Sequence, residues 1–217
     1  MSSTIKNWGN FLFWIQIVCG FIAGSSPALK MLESTQGVTL SFFLSGLGFM
    51  VINLWLSFNA FTESHLRGKV KYQSILIYAM WTIFSIVHIG IVLWKMPNLW
   101  GYIDVITISI LAIGTTILVN FAKIRRIQIR GPYIKMWFAI LFKSIPQLLL
   151  AITIFLHGGS GVSGVWLLFA HIIIISRIGH LWTSSHQGWN KNTRASFISE
   201  LWNEATWSIA TISWLIV

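Results

Sequence analysis

Apolar residues run along this chain in long unbroken blocks, not in strict alternation. A membrane-spanning helix needs roughly 20 mostly apolar residues. Seven blocks come close to or exceed that length: Trp8–Leu32, Val38–Phe61, Ile75–Trp94, Tyr102–Lys123, Met136–His157, Gly164–Trp182 and Leu201–Val217. The last is short, and the first carries Pro27 near its end. Backbone groups in lipid must be paired within the segment, and the roughly ten-residue alternation of an outer-membrane barrel is absent, so each block reads as a helix. Short polar stretches separate them: Glu33–Gly37, Thr62–Ser74, Lys95–Gly101, Ile124–Lys135, Gly158–Ser163 and Thr183–Glu200. The pattern predicts an all-α membrane protein of seven transmembrane helices, with no soluble domain.

Composition supports that pattern. Of 217 residues 55% are hydrophobic and 9% charged, against about 25% charged in an ordinary soluble domain. Mean hydropathy is +0.74. A soluble fold has too few charges here to cover its surface. The formal charge of +10 would suggest a nucleic-acid partner in a soluble chain. Here it is split among short juxtamembrane connectors, which argues for no nucleic acid and for contact with membrane lipids. Arg67, Lys69 and Lys71 sit in the second connector, Arg125, Arg126, Arg130 and Lys135 in the fourth, Lys191 and Arg194 in the sixth. All three lie on the N-terminal side of a seven-span bundle, so the positive-inside rule predicts a cytoplasmic N-terminus. Lys6, the first apolar run and Ala23-Gly24-Ser25 have the parts of a cleavable signal. The internal repeat described next implies that the segment is retained. The lone Cys19 sets no disulfide framework.

Two stretches share a layout. Ser26-Pro27-Ala28-Leu29 is followed by Ser34-Thr35-Gln36-Gly37-Val38-Thr39, and Ile145-Pro146-Gln147-Leu148 by Ser160-Gly161-Val162-Ser163. Each is a helix with a late proline, a Gly/Ser turn, a returning helix and one helix more. The chain therefore divides into a first three-helix repeat (1–101), a linker helix (102–123) and a second three-helix repeat (124–217). An odd linker makes the two repeats parallel. This 3+1+3 layout with Pro146-Gln147 resembles the PQ-loop superfamily, which includes SWEET sugar carriers, lysosomal amino-acid exporters and KDEL receptors. The first copy reads Pro27-Ala28 where the second reads Pro146-Gln147. The resemblance implies alternating access between the repeats, with Pro27, Pro146 and Gln147 at hinges. In sugar-carrying relatives an asparagine on the last helix of each repeat holds substrate. Asn203 is similar to one of these, while helix 3 offers only His88, Thr82 and Ser85.

Ionisable side chains within a span are costly and mark function. Lys143, Arg177 and Glu204 fall roughly 6–11 Å inside the same boundary if each block is helical. They are expected to form one intramembrane charge network, either structural or a gate. His88 and His171 lie deeper in their helices and His180 near an end. No His/Cys/Asp/Glu grouping has metal spacing, no cofactor motif is present, and no nucleophile or phosphate-loop motif points to an enzyme. Trp8, Trp94, Trp100, Trp137, Trp182, Trp189 and Trp202 suit an interfacial belt, whereas Trp55 and Trp81 are among those placed within spans. Gly46 with Gly48 and Ser41 with Ser45 suit close helix packing.

The expected function is a membrane transporter for a small-molecule solute such as a sugar or amino acid, with Asn203, Trp55, Trp81 and His88 at the substrate. A receptor that binds an anionic ligand through Lys143 and Arg177 is the alternative, as is a non-transporting membrane subunit. Self-association into a homo-oligomer is left open.

Overall fold

The computed structural model describes residues 3–63, 69–96, 101–129, 131–184 and 189–217. Arg67, Trp100 and Arg130 lie outside the described residues. Seven long helices are present among the described residues: α1 (Ser3–Glu33), α2 (Leu40–Glu63), α3 (Lys69–Lys95), α4 (Tyr102–Ile124), α5 (Pro132–His157), α6 (Gly164–Ser184) and α7 (Lys191–Ile216). Helices α1 to α6 each contain a segment long and apolar enough to cross a membrane, which makes the chain an integral multi-pass membrane protein.

Helix α7 departs from the expected seventh span. It starts at Lys191, ten residues before the apolar block, because Asn190 caps it: its Oδ1 accepts from the Thr193 backbone N–H at 2.9 Å. The stretch read as a polar connector is therefore three helical turns, and Lys191, Arg194 and Glu200 lie on a helix. Helix α7 is not among the helices apolar enough to span; its later part still carries Glu200, Asn203 and Glu204.

Turn chemistry sets the other ends. Gly37 (φ 79°) and Gly158 (φ 84°) take left-handed conformations after α1 and α5, where a side chain would be strained. Pro132 opens α5 at a position whose N–H has no helical partner. Helix α4 closes in a Schellman pattern. The Ile127 N–H donates to Ala122 O and the Arg126 N–H to Lys123 O, with Arg126 itself left-handed at φ 52°.

Helix α5 is not uniform. Ile140–Ser144 widens into a π-turn just before Pro146. Proline at 146 has no N–H to donate to Phe142 O and crowds that carbonyl. A π-turn relieves this crowding by enlarging the backbone loop. Pro27, by contrast, sits inside α1 with no such turn beside it.

The packing order is regular. Helix α3 contacts both α1 and α2, and α7 contacts both α5 and α6; across the molecule α1 packs on α6 and α2 on α5, while α4 rests on α2 and α5. The outer faces are strongly apolar, with Ile83, Ile113, Ile117 and Leu215 all exposed. Lipid is the natural cover for such a surface. Within the spans, Ser25, Thr82, Ser85, Thr107 and Thr153 donate to the carbonyl four residues back, so polar side chains are paired locally where no water is available. Gly46 and Gly48 do not mark close packing as expected. A Cβ at either would meet nothing within 4 Å, since that face of α2 borders a cavity at Gly46.

Candidate functional site

The helices enclose a cavity of about 650 Å³. Every helix contributes to its wall, α1 through Gln16 and α4 through Thr115. Its mouth is at the end of the bundle that carries the basic connectors, where Ile129, Lys135 and Asn192 are exposed. Its floor is an aromatic layer of Phe42, Phe43, Trp166 and Trp207. Trp166 and Trp207 meet edge to face at 5.1 Å, and Phe43 stacks on Trp166 at 6.1 Å.

Beyond that floor the opposite end is sealed by the two turns that the repeat singled out. The turn after α1 lies against the turn after α5. Ser34 and Ser160 hydroxyls meet at 2.8 Å, and Ser26 and Ser163 at 3.1 Å. The Ser160 hydroxyl donates to Gln36 Oε1 at 2.8 Å, and the Gly161 N–H to Gln36 O at 2.9 Å. Gln36 Nε2 also donates to His157 O. Trp214 from the end of α7 covers the seam and donates to Gly159 O at 3.2 Å. Close approach explains the glycine at 161: a Cβ there would lie 2.6 Å from Ser34 O and 2.8 Å from Gln36 O.

One wall carries a polar chain between α5 and α7. Lys143, projected from the π-turn, donates to both Glu200 oxygens at 3.0 Å. Asn203 Nδ2 donates to Glu200 Oε2 at 3.0 Å, and Gln147 Nε2 donates to Asn203 Oδ1 at 2.7 Å. Thr206 closes the run by donating to Gln147 Oε1. Charge-assisted bonds of this kind, largely shielded from water, are stronger than neutral ones. Lys143 Nζ also lies 5.5 Å from the Phe49 ring centre.

Several expected residues meet at this cavity. Asn203, Trp55, Trp81, His88, Pro146, Gln147, Lys143 and Arg177 all line it. Trp55 is 54% exposed, so much of its ring lies outside the enclosed space. His88 also ties α3 to α1, its ring nitrogen donating to Gly24 O at 2.7 Å. Pro27 does not line the cavity; it is buried in α1 beside Ser26, under the sealed seam.

The expected charge network is rearranged. Glu200, not Glu204, is the carboxylate that meets Lys143. Glu204 lies a full helical turn deeper and bonds His171 Nδ1 at 2.6 Å, with His171 Nε2 on Thr211 at 2.8 Å. This second cluster joins α6 to α7 away from the cavity wall. The difference follows from where α7 begins. Once residues 191–200 are helical, Glu200 falls at the level of Lys143 and Glu204 passes it. Arg177 lines the cavity and makes no hydrogen bond or ion pair with a described residue.

Sequence reasoning missed Glu200, Thr206 and Asp104. Asp104 is buried at the start of α4, where its Oδ1 accepts from the Ser41 N–H at 2.7 Å and its Oδ2 from the Gly101 N–H at 3.2 Å. An acid in the first turn of a helix is a readable capping signal. Its grip on the first turn of α2 is tertiary. No group of three or more His, Cys, Asp or Glu side chains is placed to hold a metal among the described residues. No protein-family model, curated protein or solved structure matches the chain.

Proposed function

We propose that the chain is a carrier that moves a small polar solute across the membrane by alternating access, with α1–α3 and α5–α7 as two parallel three-helix units and α4 as their linker. The observation that carries this reading is the cavity itself. It enters between the two units from one end and stops at a floor, beyond which the two units hold each other through hydrogen-bonded turns. A passage open at one end and latched at the other is one of the two states that alternating access requires.

The packing order supports two related units. The contacts α1–α3, α2–α3 and α1–α6 have as counterparts α5–α7, α6–α7 and α5–α2, the correspondence a two-fold axis along the membrane normal would produce. The resemblance to PQ-loop carriers rests on the 3+1+3 layout of the apolar blocks and on Pro146-Gln147. In this reading Asn203 and Gln147 present polar groups to solute, Trp81 and His88 face them from α3, and Pro146 with its π-turn is the compliant point of α5. By the positive-inside rule the open mouth is cytoplasmic.

Solute flux in proteoliposomes tests the reading, with wild type compared to Asn203→Ala and Pro146→Ala. Asn203→Ala strips Gln147 and Glu200 of a buried partner and is expected to lower flux about tenfold. Pro146→Ala restores an N–H at the π-turn, stiffens α5 and is expected to slow turnover while solute still binds. Wild-type flux in both variants would overturn the roles assigned here. Saturable binding with no flux would instead favour a receptor.

A further inference from the structure

The charges around the cavity point to the class of solute, on the premise that the cavity is the ligand site proposed above. Among the described residues three cationic side chains, Lys135, Lys143 and Arg177, line it against one carboxylate, Glu200, a formal excess of two among them. They are not equivalent. Lys135 is exposed at the mouth, where water screens it. Lys143 is matched by Glu200 through two bonds of 3.0 Å. Glu200 takes a third from Asn203 at 3.0 Å, so its oxygens are engaged from two sides.

Arg177 is the cation left over. It is half-buried in the α6 wall; Glu200 feels its charge across the cavity wall, but no carboxylate lies within ion-pair distance of it among the described residues. A guanidinium carries five N–H donors in a fixed fork and cannot shed its charge. Inside a membrane protein such a group faces a water-filled space or a partner. The rest of the wall is largely apolar and aromatic. Trp166 on the same helix marks the floor, eleven residues from Arg177, or about 16 Å along the axis. An anion seated on Arg177 therefore has a long aromatic wall, including Trp81 and Phe142, for an apolar body.

We propose that the cavity takes an organic anion, carboxylate- or phosphate-headed with an aromatic or aliphatic body, whose head is held by the Arg177 guanidinium. The Lys143–Glu200 pair holds α5 to α7 beside it and adds no net charge. The same chemistry could arrive dissolved in water or as a lipid-borne acid, and the experiment separates the two.

Purified protein in phosphatidylcholine nanodiscs is tested by equilibrium dialysis with phenylacetate, indole-3-acetate and phenyl phosphate. Phenylacetamide, indole-3-acetamide and phenol are their uncharged counterparts. Oleate against oleamide, monitored by tryptophan fluorescence, forms the lipid arm. At least one acid is expected to bind saturably and at least tenfold more tightly than its uncharged counterpart. Arg177→Gln is expected to weaken that acid by about 30-fold or more, and Arg177→Lys less, since it keeps the charge and loses the fork. Binding confined to oleate assigns a lipid-borne solute; binding of the soluble acids assigns an aqueous one.

Equal binding of acid and uncharged probe, no binding by any probe, or an unchanged Arg177→Gln overturns the proposal. The acid-to-amide comparison on wild type needs no variant, so it holds even if Arg177→Gln fails to fold. Saturable flux of glucose or alanine that Arg177→Gln leaves unchanged would sink the anion and keep the carrier. Anion binding without flux would do the reverse.

Discussion

Glu200→Gln offers the sharpest test of how α5 and α7 are joined. Lys143 and Glu200 are 17% and 15% exposed and share two 3.0 Å bonds. Replacing the carboxylate with an isosteric amide leaves the Lys143 ammonium in a mostly shielded wall with no counter-charge. Breaking one side of a buried pair costs about 3–5 kcal/mol. The cavity gives Lys143 some access to water, which lowers the expectation to about 2–3 kcal/mol. For a chain of this length each kcal/mol moves Tm by roughly 2–4 °C, so Tm falls by about 4–12 °C.

The assay is thermal unfolding in detergent of wild type, Glu200→Gln, Lys143→Met and the double variant. Lys143→Met removes the charge and keeps the stem. The double variant is expected to recover most of the loss, with a coupling of about 2 kcal/mol between the two sites. Glu204→Gln leaves the Lys143 bonds in place, so it is expected to show no coupling with Lys143→Met. Additive single effects, or a stronger coupling to Glu204 than to Glu200, would refute the assigned pairing.

Two other outcomes follow from the sealed end. With Cys19→Ser as background, Ser34→Cys/Ser160→Cys replaces hydroxyls 2.8 Å apart; oxidation is expected to stop flux, reduction to restore it, and ligand to reach the cavity from the open end throughout, all read in one proteoliposome preparation. Gly161→Ala drives a Cβ to 2.6 Å from Ser34 O and is expected to cost about 1–3 kcal/mol by thermal unfolding, whereas Gly46→Ala, with nothing within 4 Å, is expected to be neutral or slightly stabilising through helix propensity.

The apolar blocks alone placed the long helices because lipid leaves the backbone no choice of partner: α4 begins at Tyr102 and α6 at Gly164 as the pattern predicts. The same reasoning failed at residues 191–200. Their polarity reads as a loop when only lipid exposure is considered, yet polar residues are stable on a helix whose face turns inward to a cavity. That ten-residue extension moved Glu204 past Lys143 and brought in Glu200. The Pro146-Gln147 pair was visible as letters. Its bond to Asn203 depends on α5 and α7 lying side by side, a contact between residues 56 apart in the chain that no local pattern encodes. Charge number, span length and turn glycines are properties of short stretches, and the sequence determined them by itself. Which carboxylate neutralises which cation, which arginine is left facing the cavity, and which end of that cavity is shut depend on the rotation and depth of packed helices, and only the tertiary structure decided these.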